Sequence, residues 1–155
     1  SVRDGDEMVY LESVRFNARG RERSVVSGHQ VPIELTALGR AWLAVAPADE
    51  RATLMTQWKA KRRNRWRKLE QDIAAAGASV AAKGYCVASW QPQVVALAAP
   101  IVIARRPIHV LNVSVTTGAG VAATVRALER PLLKLAAELA RAIAGLDRAR
   151  GTGHG

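Results

Sequence analysis

The run YCVASWQPQVVALAAPIVIARRPIHVLNVSVTT, residues 85–117, decides the fold. Tyr85 to Trp90 and Val94 to Ile103 read as two strands joined through Gln91-Pro92, and Ile108 to Thr116 reads as a third. In the third, His109, Leu111, Val113 and Val115 fall on one face, and Asn112, Ser114 and Thr116 fall on the other. Short connections between successive strands require antiparallel pairing. Gly118 and Gly120 then break the strand pattern before a last helix. Its apolar stripe is Val121, Val125, Leu128, Leu132, Leu135, Leu139, Ala142 and Leu146, and Pro131 should kink or divide it.

The upstream part supplies more strands and three helices. Val2-Arg3, Asp4-Gly5 and Met8 to Val14 read as a hairpin, because Asp-Gly between extended runs is the type I′ signal. Asn17 to Gly20 reads as a turn, and Ser24 to Val26 as a short extended piece. Pro32 is expected to open a helix whose buried face is Leu35, Leu38, Trp42 and Val45. Gly39 inside it costs about 1 kcal/mol against Ala, which points to a close backbone contact. Pro47 ends that helix, and Ala48-Asp49-Glu50 starts the next with acids in its first turn. Trp66, Leu69, Ile73, Ala76 and Val80 describe a third, which Gly84 stops as a left-handed cap. Adjacent antiparallel strands with helices inserted between them make an α+β fold rather than a βαβ winding.

A chain of 155 residues that is 49% apolar fits one domain with a real core and argues against intrinsic disorder. The longest apolar run, Val94 to Ala104, holds Pro100 and is about half of what a membrane span needs, so no membrane partner is expected. One cysteine, Cys86, excludes an internal disulfide, and three scattered histidines leave no metal-ligand spacing. No cofactor is expected, and the cysteine usage fits a cytoplasmic, reducing environment. The chain opens on Ser-Val-Arg without a secretory leader, which suggests a domain excised from a longer protein.

The net charge is +10, but Lys59 to Lys68 (KAKRRNRWRK) holds seven basic residues and no acid, and setting those seven aside takes it to +3. Arginines beside Trp58 and Trp66 could stack on bases or grip phosphate. The plainer reading is a solvated junction between helices whose arginine stems cover an indole. Enzyme motifs are missing: there is no Gly-rich phosphate loop, His-Glu-x-x-His or Gly-x-Ser-x-Gly. Cys86 with His29 or His109 could form a thiol–imidazole pair, although a lone strand cysteine is more often a small core residue.

The order of the pieces is more specific. VPIELTALGRAWLA (residues 31–44), KGYCVAS (83–89), ALAAPI (96–101), LNVSV (111–115) and a long amphipathic C-terminal helix together resemble the effector-binding domain of IclR-type transcription regulators. Pro32, Ala37, Leu38, Gly39, Arg40, Ala41, Leu43 and Ala44 match the family's first block, Gly84 and Tyr85 its second, and Ala98, Ala99 and Pro100 its third. The opening RDGDEMVYLESV is similar to the family's first hairpin. The resemblance implies a GAF-like antiparallel sheet flanked by helices, with an effector-binding domain over residues 1–149; the glycine-rich residues 150–155 read as a flexible tail. It also implies a winged helix-turn-helix domain preceding this chain, through which the whole regulator, a homodimer or homotetramer, meets DNA, in many cases as a repressor.

Carried over by position, the resemblance places an effector pocket at Thr36, Ala37 and Leu38, at Ala88 and Trp90, at Val95 and Ala96, and at Asn112 and Ser114. From the residues alone, Asn112 and Ser114 share a strand face and need partners, which a ligand carboxylate or hydroxyl, a neighbouring loop or a water would supply. The family usually carries acids after Gly-Tyr, and here Ala88-Ser89-Trp90-Gln91 stand instead. An indole replacing acids favours a small organic acid with an aromatic or hydrophobic body. The expected function is effector sensing and oligomerisation rather than catalysis; the alternative is a nucleic-acid-binding domain built on Lys59–Lys68.

Overall fold

A computed structural model describes residues 1–16, 22–24, 27–89, 93–118 and 120–151. The expected turn at Asn17 to Gly20 lies outside them, as do Val25, Val26, Trp90, Gln91, Pro92 and residues 152–155 of the expected tail. Among the described residues, eight strands and four α-helices follow one another as β1 (Val2–Asp4), β2 (Glu7–Val9), β3 (Val14–Phe16), β4 (Glu22–Ser24), β5 (Gln30–Pro32), α1 (Ala37–Val45), α2 (Ala48–Lys61), α3 (Trp66–Lys83), β6 (Cys86–Ala88), β7 (Val94–Ile101), β8 (His109–Thr116) and α4 (Val121–Gly151). A 3-10 turn at Arg63–Arg65 links α2 to α3.

Pairing among the described residues is antiparallel, in sheets ordered β1-β2-β5, β3-β4 and β6-β7-β8. The Ser1 amine donates to the Val110 carbonyl at 3.0 Å, and the Val110 amide donates back to the Ser1 carbonyl at 2.9 Å. That exchange joins two three-stranded sheets edge to edge in the order β5-β2-β1-β8-β7-β6. The β1–β2 hairpin forms where Asp-Gly marks it, with Asp4 opposite Glu7. Of the two central residues only Gly5 has positive φ, 60°, which is the pattern of a type II′ turn rather than the expected type I′.

The β6-β7-β8 sheet separates two cores. On one face Cys86, Ala88, Ala96, Ala98 and Val110 pack with α1, α3, Trp58 and Trp66. On the other, Tyr85, Val95, Leu97, Ala99 and Ile101 pack under Leu132 and Ala136 of α4. α4 continues through Pro131 rather than dividing there. The missing amide would have bonded the Ala127 carbonyl; both residues are exposed, so water can take its place. Leu135 and Leu146, expected on the buried stripe, are 46% and 61% exposed. At about 100° per residue, Leu135 lies about 60° round from Leu132, and Ala136 takes the buried place.

The first helix begins later than Pro32 suggests. Pro32 closes β5 opposite Glu7, and α1 starts after Thr36, whose extended backbone makes it the N-cap. Its hydroxyl oxygen accepts from the Gly39 amide at 3.1 Å and donates to the Pro32 carbonyl at 2.8 Å. Gly39 sits against the backbone of Ile33, the close approach its position implies. Gly84 caps α3 at φ 81°, as expected. Arg3 lies over the Trp42 ring at 4.9 Å and pairs with Glu50, tying β1 to α1 and α2.

Candidate functional site

Strand register sets the floor of the site. Cys86 stands opposite Ala98 and Ala98 opposite Asn112; Ala88 stands opposite Ala96 and Ala96 opposite Ser114. Directly opposed residues share a face, so two rows, Cys86–Ala98–Asn112 and Ala88–Ala96–Ser114, lie side by side. This is the face that packs with Ala37 and Leu38 at the start of α1, where the Cys86 thiol donates to the Ala37 carbonyl at 3.4 Å. Small side chains let the helix start approach the sheet. Asn112 is half-buried and Ser114 exposed, so the rows run from a dry end under α1 to a solvent-facing end. Neither polar side chain is hydrogen-bonded to a described residue.

The residues carried over by resemblance therefore divide. Ala37, Leu38, Ala88, Ala96, Asn112 and Ser114 come to one face of the sheet. Val95 does not: it belongs to the α4 core, because a strand alternates and Val95 and Ala96 cannot share a face. Thr36 lies at the helix start, but its hydroxyl is committed to capping. Gly39 and Arg40 amides are satisfied by Thr36, which leaves the Ala37 and Leu38 amides as the donors that a helix start offers without an intrahelical partner. Trp90 lies outside the described residues. Cys86 and Ala98 join the floor, a place that period-two alternation from Asn112 could have disclosed.

Open clefts among the described residues lie elsewhere. One of about 410 Å³ runs between the β1–β2 turn and the α2 end, beside Glu34, Trp58, Lys61 and Arg62. The other, about 220 Å³, lies between Arg40, Asp72, Ser79 and Val87. Glu34 is buried, receives a 2.7 Å hydrogen bond from Arg62, and its carbonyl accepts from Arg40 Nε at 2.9 Å. Burial pushes the Arg40 guanidinium below its ordinary value, opposed by the charge of Asp72. These contacts brace α1 against α2 and α3.

Thiol chemistry finds no support. Cys86 is fully buried, and burial pushes its pKa up to about 12 despite Arg40 nearby. His109 pairs with Ile101 on the opposite sheet face, and His29 lies against Tyr10, so the thiol–imidazole pair does not form. A buried thiol held protonated in this way is a poor nucleophile. A disulfide-exchange reagent is expected to leave the folded chain unlabelled and to label Cys86 only in guanidinium; rapid labelling of the folded chain would contradict the placement. Among the described residues no group of His, Cys, Asp and Glu is arranged to hold a metal ion, and no helix is long and apolar enough to cross a membrane.

The basic stretch spans the end of α2, the 3-10 turn and the start of α3. All seven cations are exposed, while Trp58 and Trp66 are buried at 2% and 8% exposure. Base stacking on these indoles, which the sequence permits, is therefore not available. Lys61, Arg62 and Lys68 pair with Asp6, Glu34 and Asp72.

Residues 1–144 match the family described as "Bacterial transcriptional regulator IclR C-terminal". The chain belongs to this family. Solved structures similar to it include an IclR family transcriptional regulator from Brucella abortus, at TM-score 0.76 and 22% identity over 90% of this chain and 54% of that one. The repressor BlcR of Agobacterium tumefaciens matches at TM-score 0.64 and 19% identity, over 90% of this chain and 56% of that one. The inducer-binding domain of the transcription factor PobR from Acinetobacter, a double mutant in complex with 3-hydroxybenzoic acid, matches at TM-score 0.58 and 20% identity, over 90% of this chain and 84% of that one. No curated protein matches the chain closely enough to count as a relative. This IclR-family chain thus spans about half the length of the first two regulators, and the α+β fold expected from strands 85–117 is the family's fold.

Proposed function

We propose that this IclR-family domain senses a small organic acid on the α1 face of the β6-β7-β8 sheet. The observation that carries it is the pair Asn112 and Ser114, adjacent on one sheet face beside the small apolar Cys86, Ala88, Ala96 and Ala98, with no protein partner among the described residues. The Ala37 and Leu38 amides at the helix start add donors and a positive dipole end suited to a carboxylate. The structurally similar PobR domain, which holds 3-hydroxybenzoic acid, agrees with an aromatic acid. Trp90, which replaces the usual acidic character after Gly-Tyr, would add a stacking surface.

The mechanism is differential affinity. An effector that binds one arrangement of subunits better shifts the population towards it, and DNA-binding domains preceding this chain would change spacing in consequence. The regulator would act as a homodimer or homotetramer in the cytoplasm, without catalysis. The test is thermal unfolding against a panel of aliphatic and aromatic carboxylates. A ligand at 100 times its Kd adds about 2.7 kcal/mol, a rise of roughly 5–11 °C for a domain of this size. An aromatic acid is expected to give that rise, and a panel without any shift would contradict the reading.

A further inference from the structure

We infer that the α2–α3 corner is a second anion-binding surface, one that grips the phosphate backbone of duplex DNA without reading sequence. It is separate from the effector face and does not depend on the effector reading. Lys59, Arg63, Arg65 and Arg67 are exposed and have no acidic partner among the described residues. They are spread over about nine residues that turn a corner, and three of the four are arginines, whose fork suits phosphate oxygens.

Local physics opposes this arrangement, which is why it calls for a partner. Lys59 and Lys61 in the last turn of α2 suit the negative end of that helix. Arg67 and Lys68 sit at the opposite kind of end, the positive start of α3, where the first turn has no acid and no side-chain cap. Cations there repel the helix dipole and one another, and local conflicts of this kind concentrate at functional places. A polyanion would remove the conflict by meeting the cations and the uncapped amides together.

The buried indoles decide which polyanion. Single-stranded nucleic acid is held by exposed aromatic platforms, and membrane surfaces by apolar groups set among the cations. The corner exposes neither, since Trp58 and Trp66 face the core. Bare cations on a transcription regulator, which works beside DNA, fit a duplex backbone.

The test is anisotropy of a labelled random 20-base-pair duplex with this 155-residue chain, titrated at several salt concentrations. Four phosphate contacts give a log–log salt slope of about −3.6, so affinity should fall roughly 150-fold between 50 and 200 mM. The variant R63Q/R65Q/R67Q should flatten the slope to about −1 and weaken binding at 50 mM by at least about thirtyfold. The control R126Q/R130Q/R141Q removes the same charge from exposed positions on α4 and should bind within about twofold of the parent. Thermal unfolding verifies that both variants are folded. No duplex binding at 50 mM, an equal loss in both variants, a preference for single strands, or binding to vesicles rich in phosphatidylserine in place of duplex would each overturn the inference.

Discussion

Gly39→Ala is expected to destabilise the fold by at least about 3 kcal/mol, lowering Tm by roughly 6–12 °C. In an open helix the same change stabilises by up to about 1 kcal/mol, because Ala is the better helix former. Here the sign reverses. A Cβ on Gly39 would stand 2.1 Å from Ile33 Cα and 2.2 Å from its carbonyl oxygen. Ile33 is fully buried, and its flanks are held by the Thr36–Pro32 and Arg40–Glu34 hydrogen bonds, so the strand-to-helix connection cannot retreat cheaply. Gly77→Ala in α3 is the control: nothing lies within 4 Å of its Cβ position, and it should be neutral or slightly stabilising. Equal Tm values for Gly39→Ala and the parent would refute the packing described for α1. Since α1 also carries the Ala37 and Leu38 amides, effector response should fail with the fold.

The second large effect concerns affinity. The double variant Asn112→Ala/Ser114→Ala is expected to weaken the effector found in the carboxylate panel by about a hundredfold. Hydrogen bonds to a charged group are worth about 1.5–3 kcal/mol each, and each 1.4 kcal/mol is tenfold. Asn112 is half-buried and Ser114 exposed, so the substitutions open no core cavity and Tm without ligand should move little. On the proposed reading, in which Trp90 stacks on the ligand, Trp90→Ala should cost more than tenfold. Titration calorimetry measures all three proteins, and unchanged affinities would remove Asn112, Ser114 and Trp90 from the site.

Much of this was legible in the amino acids. Two-residue periodicity placed Asn112 and Ser114 opposite Leu111 and Val113, and the ladder keeps them there. Gly39 and Gly84 announced a close contact and a left-handed cap by standing where a helix tolerates glycine only for a reason. What was hidden depended on tertiary context. Proline suits a strand end as well as a helix start, and only pairing with Glu7 assigns Pro32 to β5. Thr36 joined the expected site by resemblance, although its hydroxyl is spent on the cap. Val95 was placed beside Ala96 in the same way, against the alternation that sends it to α4. The join of Ser1 to Val110 spans 109 positions and leaves no local pattern.

The most direct test of the effector site is amide NMR of the labelled chain titrated with the aromatic acid that raises Tm most. The largest shifts are expected at Ala37, Leu38, Ala88, Ala96, Asn112 and Ser114, with smaller ones at Leu97, Ala99 and Leu132 across the sheet. Shifts centred instead on Glu34, Lys61 and Arg62, or on α4, would show that the acid binds elsewhere and would contradict the account.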